Sequence, residues 1–263
     1  MRFKSLTKPA VVLIMVGLGL TTLPGQQKSG REFRRTGIHN GNLVRTVFGN
    51  WGVIGQPADE GPRGAWINDN NGYIGDVSPL IGAEITALDT GGQLVTFHSV
   101  IVPPVDRPIT GGFEESPTGK AWTFEPVSGY LNETQERIAM STDHSTWPPF
   151  WPDKQDAIDD PGWAGSWNGY FGKDLQNIQQ ESYYVMDDNN DEEFNNAEYN
   201  IWNVDFKPDA NDPTRNGLGL EVGVRGMQWQ QFLAQDVLFW LYEVKNESTT
   251  DYSQATFGML VGT

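Results

Sequence analysis

The sequence predicts an all-β protein, an antiparallel β-sandwich with long Pro/Gly/Asp-rich loops and very little helix. Three observations carry this. Two pairs of segments alternate apolar and polar residues at period two, each pair joined by a turn or short connection. The 263 residues include 30 glycines and 16 prolines, which interrupt helices. No stretch of about 12 residues or more repeats its apolar positions at the helical period of 3.6.

Taken in order, Arg2, Lys4 and Lys8 flank and precede the apolar run Ala10–Leu20, and Leu23-Pro-Gly25 offers a small residue at a cleavage point. The run is shorter than the ~20 residues that span a bilayer, so residues 1–25 read as a secretory signal. The mature chain is then expected in the medium or on the cell surface after bacterial export, with no membrane insertion. Residues 26–42 are polar and read as a solvated lead-in. Leu43–Phe48 is β-branched and reads as a strand. The first strong hairpin follows: Ile81, Ala83, Ile85 and Ala87 share one face, Asp89-Thr-Gly-Gly92 turns, and Val95, Phe97 and Ile101 return. Residues 106–119 are a Pro/Gly loop; one large sandwich over 43–263 is expected, with a division into two small sandwiches near 103–120 as the alternative.

Ala121–Pro126 reads as a short strand, and Gln135–Met140 fits a strand or a helical turn equally. Glu181–Met186 reads as a strand entering an acidic loop and Tyr199–Phe206 as a strand leaving it. The second strong hairpin pairs Leu218, Leu220, Val222 and Val224 with Val237–Lys245. The latter is apolar on both faces near its start, which predicts a central place in its sheet. Thr256–Thr263 is an apolar strand pattern without a polar tail, so the 263 residues as a whole read as the front part of a longer polypeptide.

Charge and composition exclude several functions. Formal charge is −16, and removing residues 1–25 takes three positive and no negative charges, giving −19. Phosphate neutralisation needs a Lys/Arg surface, so nucleic acid is not an expected partner. No cysteine is present, which excludes disulfides, thiolate metal sites and cysteine nucleophiles. Only His39, His98 and His144 are available, with no His-Glu-x-x-His pair, phosphate loop or dinucleotide fingerprint. Ala164 stands where a Gly-x-Ser-x-Gly elbow at Ser166 needs its first glycine.

Two features remain. Counting from Asp187, Asn189, Asp191, Glu193 and Glu198 fall at positions 3, 5, 7 and 12 of an oxygen-ligand calcium loop, with Glu192 where a glycine is usual. These five residues predict calcium; a solvated acidic loop is the competing reading. Trp147, Trp151, Trp163 and Trp167 lie among Pro, Gly and Asp, with Tyr170 and Phe171 close by. Such rings stack on the apolar face of a pyranose, so they are candidate ligand-binding residues for polysaccharide or for a cell-surface protein. The competing reading is that they cover an open end of the sandwich core.

Gly217-Leu-Gly-Leu-Glu-Val222, Gln228-Trp229, Ala234-Gln-Asp236 and Phe239–Asn246 resemble a segment of large, mostly uncharacterised β-sandwich proteins exported by bacterial type IX secretion. Asp187–Glu193 and Pro161–Trp167 are similar to parts of the same group. The resemblance spans residues 30–263 and implies export to the surface by modules that precede a C-terminal sorting domain; it implies no catalytic residue. The functional expectation is a secreted or cell-surface binding or structural module, with a carboxylate-dependent polysaccharide hydrolase as the alternative.

Overall fold

The computed structural model describes residues 28–101, 123–155, 160–175, 177–195, 200 and 202–263. The expected signal, the division near 103–120 and Glu198 lie outside them. Among the described residues no helix reaches seven residues, and the strands form antiparallel sheets, as the sequence predicts.

One sheet runs β11 (Leu238–Asn246), β10 (Leu220–Gln228), β9 (Gln180–Asp187), β6 (Glu125–Pro126) in spatial order. The facing layer contains β12 (Ala255–Gly262), β4 (Asp76–Leu88) and β5 (Leu94–Ile101). Beside them lie β1 (Thr36–His39), β2 (Val44–Gly49) and β3 (Ala65–Trp66). Ile54 joins these two sets, bridging Phe48 on one side and Val77 on the other. A two-stranded ribbon, β7 (Asn168–Gly169) and β8 (Gly172–Lys173), stands apart.

The period-two pattern explains the first core. Ile81, Ala83 and Ile85 of β4 and Phe97 and Ile101 of β5 pack against Tyr184 and Met186 of β9 and Val222 and Val224 of β10. The β4–β5 turn forms as its residues dictate: the Asp89 carboxylate accepts from the amides of Gly91 (2.9 Å) and Gln93 (2.8 Å), and Gly92 takes φ +77°. On the opposite face of β9, Tyr183 and Val185 enter a second core with Tyr130, Leu131, Trp147, Trp151 and Trp167. Every residue of β9 except Asp187 is buried, so β9 is the strand enclosed on both faces.

Three expectations change. Val237–Lys245 is not central: β11 ends its sheet among the described residues. Its outward Phe239 packs on Trp229 (5.5 Å) rather than beneath a further layer. Tyr199–Phe206 is not a strand over its described residues; Val204 makes one isolated bridge to Asp89. Trp202, Val204 and Phe206 still reach the core, from irregular backbone. Residues 28–42 are not a solvated lead-in. They hold β1, with His39 fully buried, and Arg34 clamps the buried Glu125 at 2.7 and 2.6 Å. The polar composition of that stretch reflects pairing, not exposure.

Candidate functional site

Strand β9 delivers Asp187 and Asp188 into the acidic loop, and the segment before β10 closes over it. The Asp188 carboxylate is fully buried and accepts from the amides of Leu218 (2.7 Å) and Leu220 (2.9 Å), with the Arg215 guanidinium at 2.9 Å. Burial pushes this carboxyl up to about 7, while Arg215 and the two amides pull the other way. Gly217, at φ +62°, passes so close that a Cβ there would meet the Asp188 carbonyl oxygen at 2.5 Å.

The calcium candidates are each turned toward a different protein group. Asp187 accepts from the Asn189 amide at 3.0 Å. The Asn189 side chain accepts from the Asn216 amide at 3.0 Å. Asp191 accepts from the Glu193 amide at 3.0 Å, and Glu193 from the Ser99 hydroxyl at 3.1 Å. Among the described residues, no three His, Cys, Asp or Glu side chains gather as a cation cage. In this arrangement the four described candidates bond within the protein, and the fifth, Glu198, lies outside the described residues. Spacing found the loop but not Asp188 or Arg215, because neither has a place in the ligand count; a lone arginine in the Asp209–Asn216 turn was the available signal.

The tryptophan segment divides. Trp147, Trp151 and Trp167 are buried, and each ring N–H is spent on the protein: on the Met140 carbonyl (2.7 Å), the Ser166 carbonyl (2.8 Å) and the Glu181 carboxylate (2.8 Å). Trp167 meets Trp147 at 5.5 Å and Trp151 at 5.3 Å. Beneath them Arg225 pairs with Glu181 (2.8 Å), donates to the Asn168 carbonyl (2.6 Å) and lies 3.8 Å from the Tyr183 ring centroid. These buried polar groups are paired with one another, as a structural network requires.

Trp163 is different. It is partly exposed, its backbone is left-handed (φ 54°), and Lys154 sits 5.2 Å from its ring centroid. Phe150, Tyr170 and Phe171 are each about half exposed. Phe150 lies against Gly162, beside Trp163. Tyr170 and Phe171 cap the β7–β8 ribbon in an edge-on pair at 5.1 Å. Asp160 ties the two parts, accepting from the Trp163 amide (2.9 Å) and from the Lys173 ammonium. The structure thus leaves Trp163 partly exposed, as it does Phe150 and the Tyr170 and Phe171 that the sequence sets close by, and sends the other three tryptophans inside.

One open cleft of about 360 Å³ is lined by Arg34, Arg35, Thr36, Trp51, Glu60 and Glu136. Glu60 accepts from the Thr36 hydroxyl at 2.5 Å, and Glu136, 91% exposed, sits 3.6 Å from Arg35. A glycosidase acid needs a carboxyl in apolar surroundings, and the Glu136 carboxyl stands in water. No family model, curated protein or solved structure matches this chain.

Proposed function

We infer that this chain is a surface-binding or structural module, placed outside the cell, whose contact face is the aromatic cluster Phe150, Trp163, Tyr170 and Phe171. One observation carries the reading: three tryptophans of this segment are buried in the second core, while Trp163, packed against that core, and Phe150, Tyr170 and Phe171 of the same segment are partly exposed. Rings fixed before binding lose little entropy on contact, and flat rings beside Lys154, Asp160 and Lys173 suit a saccharide, whose apolar face stacks while its hydroxyls bond. Binding is tested by affinity electrophoresis in gels cast with soluble plant, fungal and bacterial polysaccharides. Retardation by at least one is expected. Trp163→Ala is expected to weaken it about 10-fold, equal to ~1.4 kcal/mol, with the melting curve preserved. Migration unaffected by every polysaccharide removes the glycan reading. A second reading, polysaccharide hydrolysis, would use the Glu60 carboxylate of the cleft that Trp51 also lines, without Glu136 as the acid. Release of reducing ends that Glu60→Gln abolishes favours it over binding alone.

A further inference from the structure

The sandwich is closed on one side and open on the other. On the closed side, isolated bridges Thr36–Arg137 and Met140–Ser182 carry the chain from β1 round to β9. On the open side, β11 and β12 are each the last strand of their sheets among the described residues. Register shows which of their side chains face the core. Val244 stands opposite Val222, and Tyr242 opposite Val224. Phe257 stands opposite Ile81, and Val261 opposite Val77. Directly opposed residues of an antiparallel pair share a face. Val222, Val224 and Ile81 are buried, yet Val244 is 43%, Phe257 48%, Met259 38% and Val261 61% exposed. The two edges meet where Tyr242 touches Phe257, ring centroids 5.4 Å apart. Side chains aimed at the core therefore stand exposed, with no neighbouring strand among the described residues.

Edge strands are ordinarily blunted by charge, proline or a bulge. β12 has none of these. It reads Ala255-Thr-Phe-Gly-Met-Leu-Val-Gly262 and pairs with β4 through eight consecutive residues without interruption. Its outer edge presents a regular row of backbone donors and acceptors beside an apolar strip.

We propose that this open edge is a docking slot for an added β-strand of a different polypeptide, apolar at alternate positions and flanked by Lys or Arg. The main-chain ladder supplies affinity, and the strip Val244, Phe257, Met259 and Val261 reads the alternate side chains. Charge selects the occupant. Glu243, Glu247 and Asp251 are exposed on β11 and on the connection from it to β12, and Lys245 is already paired with Glu247 at 2.6 Å and Glu221 at 3.6 Å. The whole chain carries −16. A second copy brings the same acidic side chains and is repelled; a strand with basic flanks is attracted.

The probe is a fluorescein-labelled peptide, Lys-Val-Thr-Val-Thr-Val-Thr-Val-Lys. The controls are its Glu-flanked analogue and an isomer with the four valines contiguous. Fluorescence anisotropy is expected to give at least 10-fold tighter binding for the alternating Lys-flanked peptide than for either control. Amide exchange in β12 slows on binding. Met259→Lys and Val261→Lys, both at exposed positions, abolish binding at unchanged melting temperature, while Leu94→Lys on the β5 edge leaves it intact. Equal or undetectable binding of all three peptides overturns the proposal. So does a dimer in light scattering that Met259→Lys dissociates, because the slot then belongs to a second copy.

Discussion

His39 and Asp188 are both fully buried ionisable side chains, and burial moves them in opposite directions. The His39 ring lies between Phe48 (4.9 Å) and Trp240 (5.3 Å), with Nε2 at 2.9 Å from the Ser182 hydroxyl, and burial lowers it from 6.5 to about 3. Between those values the unfolded chain takes a proton that the folded chain refuses. Its contribution is therefore complete above pH 6.5 and is lost as pH falls toward 3. Asp188 is raised from 3.8 to about 7, so between those values the folded chain holds a proton that the unfolded chain gives up. Its contribution is complete below pH 3.8 and is lost as pH rises through 7. The two oppose one another from pH 6.5 down to 3.8, which flattens the wild-type acid limb. Urea midpoints measured from pH 7 to 4 check this. Replacing His39 by Gln removes the destabilising member, so the variant is expected to gain about 2 kcal/mol relative to wild type between pH 6.5 and 5. Parallel curves for the two proteins show that His39 does not govern the acid limb. Gly226 adds a steric counterpart: a Cβ there would lie 2.3 Å from His39 Nε2 and 2.8 Å from the Ser182 hydroxyl.

At the scale of elements, the tryptophan segment and β9 form one unit, because the second core exists only where that loop covers Tyr183 and Val185. Trp167→Ala empties a fully buried site and removes a donor from Glu181, so a loss of about 3–5 kcal/mol in urea unfolding is expected. Trp163→Ala, at a partly exposed position, is expected to cost under ~1 kcal/mol. Equal costs refute the division into base and contact face. The two hairpins were legible in the sequence because each alternates against a partner near in the chain, and Leu88 does face Leu94 across the Asp89 turn. What β9 would meet was not legible. The run Ser182-Tyr-Tyr-Val-Met186 points to two apolar faces, but the cover of the second comes from Tyr130 to Trp167. β11 shows the converse: its two-faced pattern suggested a central strand, while Val244 and Phe239 remain about half exposed. Composition records which side chains are apolar, and only long-range packing decides which are covered. The sites follow the same rule. Spacing along one loop picked out Asp187, Asn189, Asp191 and Glu193, whereas the charge that pairs with this loop, Arg215, arrives from a separate turn.

At the scale of the molecule, a chain of net charge −16 with no disulfide must balance repulsion against its two cores. Its buried carboxylates are answered by guanidinium groups: Glu125 by Arg34, Glu181 by Arg225 and, once it is ionised above about pH 7, Asp188 by Arg215. Breaking such a pair from one side costs about 3–5 kcal/mol, because the remaining charge stays buried. Asp and Glu number 34 against 18 Lys and Arg, so net repulsion remains and screening by salt is expected to stabilise the fold generally. Calcium can be separated from this effect. At matched ionic strength, sodium chloride and calcium chloride screen alike, and only a bound ion adds stability by mass action. With Asp187, Asn189, Asp191 and Glu193 each directed to its own protein donor, and Arg215 beside Asp188, the expected result is equal melting temperatures in the two salts. Arg215→Ala is expected to lower both by the same amount. A higher melting temperature in calcium, abolished by Asp191→Ala together with Glu198→Ala, reverses this assignment: the loop then closes around a cation, and Arg215 serves Asp188 alone.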